Sequence, residues 1–154
     1  MLVGEGPGRQ EDREGRPFVG SAGRVLNGWL ALAKLSRQDL YITNVVKSHP
    51  TNKKGGSNRP PQPHEVAACW DWLEQQLAIL RPAVVVTLGA HSLAAFAPQA
   101  KLSLAHGRPL PQGKRTIFPL YHPSYALRQN VPRQTFEADA LKLRVLLERI
   151  GGLA

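Results

Sequence analysis

Cysteine is all but missing from this chain: Cys69 is the only one in 154 residues. A lone thiol excludes an internal disulfide framework and any metal site built mainly from thiolates. No apolar run is long enough to span a membrane and no signal peptide opens the sequence, so a soluble, cytoplasmic protein is expected. Acid is scarce as well, with eleven Asp and Glu against twenty Lys and Arg, a formal net charge of +9. Such a field steers a protein toward polyanions, nucleic acid first among them, with an inert basic surface as the competing reading. The five histidines, at 49, 64, 91, 106 and 122, form no i,i+4 pair, which argues against a metal cage. Familiar glycine signatures fail too. GEGPGR carries Arg9 where a dinucleotide fingerprint needs its last glycine, and no GK[ST] follows a glycine loop. Gly20-Ser21-Ala22-Gly23 lacks the spacing of a nucleophile elbow.

What is present is one domain's worth of alternating strand and helix. Met1-Leu2-Val3 opens a short strand that runs into Gly4-Glu5-Gly6-Pro7-Gly8. Val25, Leu26, Trp29, Leu32 and Leu35 recur at helical spacing and predict a helix over Ala22–Leu35. Leu40 to Val46 reads as the second strand. The stretch from Lys47 to Pro63 is a loop rich in proline and glycine that carries Lys47, Lys53, Lys54 and Arg59. Val66, Trp70, Leu73, Leu77 and Leu80 predict the next helix, and the β-branched run Val84 to Leu88 a strand covered on both faces. A short helix near Ser92–Ala97, a Pro/Gly-rich connection, a fourth strand over Thr116–Tyr121 and a final helix through Phe136, Ala140, Leu143, Leu147 and Ile150 complete the order. Alternation of this kind implies an α/β fold: a three-layer αβα sandwich around a four-stranded parallel sheet, with function at the carboxyl ends of the strands.

That geometry gathers residues from distant parts of the sequence. Gly4–Gly8, Asn44, Gly89 and His122 each stand where a predicted strand runs out. One at a time they read as a tight turn, a turn former and a strand terminator; together they would line one crevice. In FPLYHPSYALR an apolar strand stops at His122, and Tyr125, Leu127 and Arg128 follow in an exposed turn.

GEGPGRQEDREGRPFVGSAGRVLN, YITNVVK and FPLYHPSYALR resemble, in order and over nearly the whole chain, the three signatures of the family 4 uracil-DNA glycosylases. The resemblance implies the glycosylase fold and a base-excision repair activity that hydrolyses the N-glycosidic bond of a flipped-out uracil. It implies DNA as partner, double-stranded and also single-stranded, no membrane, and a monomer. A DNA-binding relative with little or no excision activity remains the alternative. By the same resemblance Gly4, Gly6, Pro7 and Gly8 would form the water-binding loop, with Glu5 and Glu11 as its catalytic carboxylates. Phe18 would stack on the base, or serve simply as core. Asn44 would read the uracil edge, and His122 would lie at O2. Ser124, Tyr125, Leu127 and Arg128 would belong to the loop that enters the duplex, and Lys47, Lys53, Lys54 and Arg59 would meet phosphates.

Those assignments suit the chemistry. Breaking the N-glycosidic bond leaves positive charge on the sugar and negative charge on the base, so a donor at O2 and a nearby carboxylate are both needed. The target base must leave the stack, and apolar side chains at the base step act as the wedge.

Departures from the family pattern matter too. Family 4 enzymes carry an iron–sulfur cluster on four cysteines, whereas here Ser48 stands at the third position and only Cys69 remains, so no cofactor is expected. Asn58 aligns with a loop histidine through which one branch of the superfamily traps DNA, and this points to turnover. Gly6 stands where the best-known uracil-DNA glycosylases place an aspartate.

Overall fold

A computed structural model describes residues 1–53, 56–128 and 131–151. The sheet has strands β1 (Leu2–Gly4), β2 (Ile42–Asn44), β3 (Val84–Leu88), β4 (Leu110–Gln112) and β5 (Arg115–Leu120) in the order β2-β1-β3-β5-β4. The first four in that order are parallel, as expected, with Gly4 opposite Asn44 and Val86 opposite both Leu2 and Phe118. The fifth corrects the expected count. β4, read from its Pro and Gly as a plain connection, pairs antiparallel with β5. Gly113, at φ +60, begins the two-residue turn between them, and Pro111 is tolerated because β4 is an edge strand.

Alternate residues of the central strands feed two cores. Val84, Val86, Leu88, Phe118 and Leu120 pack with Leu26, Trp29, Phe136 and Leu143 of α2 (Ser21–Leu32) and α7 (Arg133–Arg149). Val3, Val85 and Ile117 pack on the opposite face with Leu73 and Leu77 of α3 (Pro63–Leu80) and Leu93 and Phe96 of α4 (Ala90–Phe96). This is the αβα sandwich. α2 stops at Leu32, earlier than the hydrophobic period suggests, because Lys34 adopts φ 55. Its N–H and that of Leu35 then cap the carbonyls of Ala31 and Leu30. Leu35 still reaches the core, through that cap and not through a further helical turn. Among the described residues no helix is long and apolar enough to cross a membrane.

Short helices make up the rest: α1 (Arg9–Glu14), α5 (Leu102–Ala105) and α6 (Pro123–Leu127). The last replaces the exposed turn expected after His122.

Candidate active site

The loops beyond the parallel strand ends enclose a cleft of about 600 Å³. Its walls include Glu5, Phe18, Asn44, Gly89, His122 and Arg128, contributed by four separate loops. The conjunction foreseen at the strand ends is therefore real in space.

At its floor the chain is packed too tightly for any side chain on Gly4. A methyl there would clash with Asn44 Oδ1 and stand 2.6 Å from Phe18 Cζ. Asn44 is buried, and its Oδ1 has no hydrogen-bond partner among the described residues. An orphaned buried carbonyl costs on the order of 1–3 kcal/mol, so an incoming donor here is worth more than one at the surface. Phe18 is 6% exposed, and its ring lies 5.8 Å from that of His122.

Phe18 sits at φ 52, a conformation a bulky residue adopts only when its surroundings impose it. Three groups do so here. Arg37 donates from Nη1 to the carbonyl of Phe18 at 2.8 Å and from Nη2 to that of Pro17. Glu11 Oε1 accepts from the backbone N–H groups of Val19 and Gly20 at 3.0 and 2.9 Å. Gly23, on α2, lets that helix approach the Phe18 carbonyl more closely than any other residue could. Glu11 thus clamps the loop through Oε1, and the same side chain also lines the cleft. Nothing in the sequence marked Arg37, because the clasp joins positions far apart along the chain.

His122 caps α6. Its Nδ1 accepts from the backbone N–H of Ser124 at 3.2 Å and lies 2.8 Å from Ser124 Oγ. A nitrogen that accepts cannot carry the proton, so the neutral ring carries it on Nε2. Burial, reinforced by Arg128, lowers the pKa of the ring to about 4. The result is a neutral imidazole with a donor on Nε2.

Glu5 is partly exposed in the cleft, and burial raises its carboxyl pKa against the opposing pull of His91 and Arg128. Gly6 and Gly8 fit closely, with a Cβ on either falling within 3 Å of Val46 or Glu11. Pro7 lines a neighbouring hollow beside Lys47 instead of the cleft.

The expected DNA contacts divide. Tyr125 and Leu127 are exposed on α6, and Arg128 donates to Ser124 Oγ while lying 5.6 Å from the centre of the Tyr125 ring. Lys53 is exposed, and Lys54 lies outside the described residues. Lys47 departs from the solvated loop cation expected. Its Nζ bonds Thr43 Oγ1, the Asn44 carbonyl and Gln76 Oε1 at 2.7–2.8 Å, and burial lowers its pKa to about 8. It braces the strand end that bears Asn44. Arg59 is engaged too, in a two-pronged pair with Glu65 at 2.7 Å on each arm. Asn58 lines the cleft, and its Oδ1 lies 2.6 Å from His49 Nε2.

Two of the positions at which the resemblance puts cluster ligands lie in this sequence and hold Ser48 and Cys69. Cys69 Sγ accepts from the backbone N–H of Lys47 at 3.3 Å, its neighbour Ser48 offers a hydroxyl, and one thiolate cannot hold a cubane. Among the described residues no group of three or more His, Cys, Asp or Glu could hold a metal ion.

Comparison with known proteins agrees with this geometry. The Uracil DNA glycosylase superfamily model matches residues 1–143. A Type-4 uracil-DNA glycosylase of Thermotoga maritima is 41% identical over 98% of this chain and 79% of its own length. Those of Sulfurisphaera tokodaii and Archaeoglobus fulgidus are 37% and 39% identical, over 95% and 93% of this chain and 69% and 74% of theirs. With a family model spanning every strand of the sheet and relatives this similar, the chain belongs to the uracil-DNA glycosylase superfamily.

Proposed function

We propose that the chain removes uracil from DNA by hydrolysing its N-glycosidic bond. The observation that carries this is the floor of the cleft, where a buried amide oxygen without a partner among the described residues, the Phe18 ring and the Nε2 donor of His122 converge. A flipped uracil offers the complement. Its N3–H donates to Asn44 Oδ1, its O4 accepts from Asn44 Nδ2, its ring lies on Phe18, and its O2 accepts from His122 Nε2. Cytosine presents the opposite pattern at N3 and N4 and leaves two mismatched polar groups. Thymine adds a C5 methyl to an otherwise identical edge.

During the reaction the N1–C1′ electron pair leaves with the base, and the charge that collects on O2 meets the Nε2–H already aimed at it. Water adds to C1′, guided by Glu5, and its proton passes to that carboxylate and on to solvent. The Glu5 charge also favours the cationic sugar. Tyr125 and Leu127 enter the stack where the base has left, while Lys53 and Arg128 meet the backbone phosphates.

Single-turnover excision on uracil opposite guanine, opposite adenine and in single strands tests the proposal. Uracil should be released from all three, and cytosine from none. Binding without release would support the alternative of a non-excising DNA-binding relative.

A further inference from the structure

His91 has no part in the reading above, yet it lines the same cleft. It stands in the first turn of α4, two residues past Gly89, and its Nε2 lies 3.9 Å from Glu5 Oε2. The backbone carries it there. At φ +94 Gly89 swings the chain from β3 into α4, so close beneath His122 that a Cβ would stand 3.1 Å from the His122 Cβ. Glu5, His91 and His122 are thus borne by three adjoining loops at the strand ends.

We propose that His91 is a positioning residue for Glu5: its ring, when protonated, keeps the carboxylate ionised and turned into the cleft, where water and the developing sugar cation need it. The inference rests on the glycosylase reading.

Glu5 needs such a partner, because burial favours its neutral form. Among the described residues these charged groups surround it. Arg128 faces it from α6, and His91 faces it from α4. From α1, Glu11 has Oε1 tied to the Val19 and Gly20 amides, and Arg9 lines the cleft. Arg59, from the loop before α3, is paired with Glu65, and His122 is neutral above about pH 4. Arg128 belongs to the helix that enters the duplex. A phosphate beside it would draw off its charge and bring negative potential that favours protonating a carboxylate. His91, on α4 and apart from the helix proposed to enter the duplex, stays beside Glu5 when Arg128 turns to a phosphate.

The sign follows directly. A cation beside a carboxylate lowers its pKa, so removing His91 raises that of Glu5 and moves the acid limb of the excision rate to higher pH. Two unit charges 4 Å apart in water are worth about a factor of five in protonation. The test uses His91→Gln, which keeps a polar side chain without the charge, and His91→Lys, which restores it. The Glu5 carboxyl is titrated by NMR with ¹³C-labelled glutamate, and single-turnover excision is measured over the same pH range. His91→Gln should move both curves upward, with the rate at about pH 5 falling about fivefold relative to the variant's own plateau. His91→Lys should return both. An unmoved Glu5 titration in His91→Gln overturns the pairing. A moved titration with an unmoved acid limb overturns its part in the reaction. Should the parent chain excise nothing, the glycosylase reading fails, while the titration still decides the pairing.

Discussion

A methyl group placed at Gly23 should damage excision, although the residue lies on α2 and not among those lining the cleft. Its Cβ would press far inside contact distance of the Phe18 carbonyl oxygen and stand 3.2 Å from the Phe18 Cα. Those are backbone atoms of a residue already at φ 52 and clasped by Arg37, so no flexible side chain can give way. Relief requires the loop or the helix to move by about 1 Å. Overpacking of this sort costs about 1–3 kcal/mol of stability, and a 1 Å misplacement of a positioning group costs up to about 10² in rate. For a chain of this size that is a fall in Tm of about 2–12 °C. Gly28 is the internal control. It occupies the same helix, and a Cβ there would meet nothing within 4 Å. Gly28→Ala should therefore stabilise by up to about 1 kcal/mol, the helix-propensity difference, and leave excision unchanged. Thermal melts beside single-turnover excision read both. If Gly23→Ala melts and excises like the parent, the inference that α2 holds Phe18 in place is wrong.

Further outcomes follow from other residues. His122 keeps a folded pKa of about 4 against 6.5 for the free ring, so the unfolded chain takes up its proton first as the pH drops. Stability should decline by up to about 3 kcal/mol between pH 6.5 and 4, seen in urea melts, and His122→Ala should abolish that slope while losing about 10²–10³ in excision rate. Asn44→Asp should slow uracil release by about 10–100-fold through one mismatched buried pair, and release at the parent rate would remove Asn44 from the site. Lys53→Ala and Arg128→Ala should each flatten the dependence of DNA affinity on salt by about 0.9 in log–log slope, whereas Arg59→Ala, paired with Glu65, should change it less. Asp139, 2% exposed between His106 Nδ1 at 2.5 Å and Lys142 Nζ at 3.0 Å, should cost about 3 kcal/mol of stability when changed to Ala.

Long-period signals carried most of the fold. The apolar stripes of α2, α3 and α7 and the β-branched run of β3 each specify an element by themselves, because burial on one face or two leaves a repeat in the sequence. Helices of four to six residues leave no such repeat, so α1, α5 and α6 were invisible. β4 was hidden by its own proline, which only its edge position permits. The site was legible to the extent that strand ends mark it: Gly4, Asn44 and His122 do stand together. The intramolecular partners of Glu11, Lys47 and Arg59 were not legible. Each is a charged residue near the cleft whose partner is set by tertiary contact, Val19 and Gly20 for the first, Thr43, Asn44 and Gln76 for the second, Glu65 for the third. Charge alone does not show which backbone or side-chain groups such a residue holds.

The strand order has a consequence for how this chain comes to be folded. β1 lies in the middle of the sheet, between β2 and β3, and Met1 just before it donates to the Val84 carbonyl and accepts from the Val86 N–H, more than eighty positions along the chain. Closing so long a loop is slow, and nothing rewards it until β3 arrives. A nascent chain emerging from the ribosome must therefore hold β1 unpaired on one side until β3 has been made. Asn44 can meet Gly4 early, but His122 and Gly89 reach them only when the C-terminal half docks. A DNA end encountered before that moment would find basic loops and no slot for the base, so competence to bind nucleic acid and competence to open it would mature at different times.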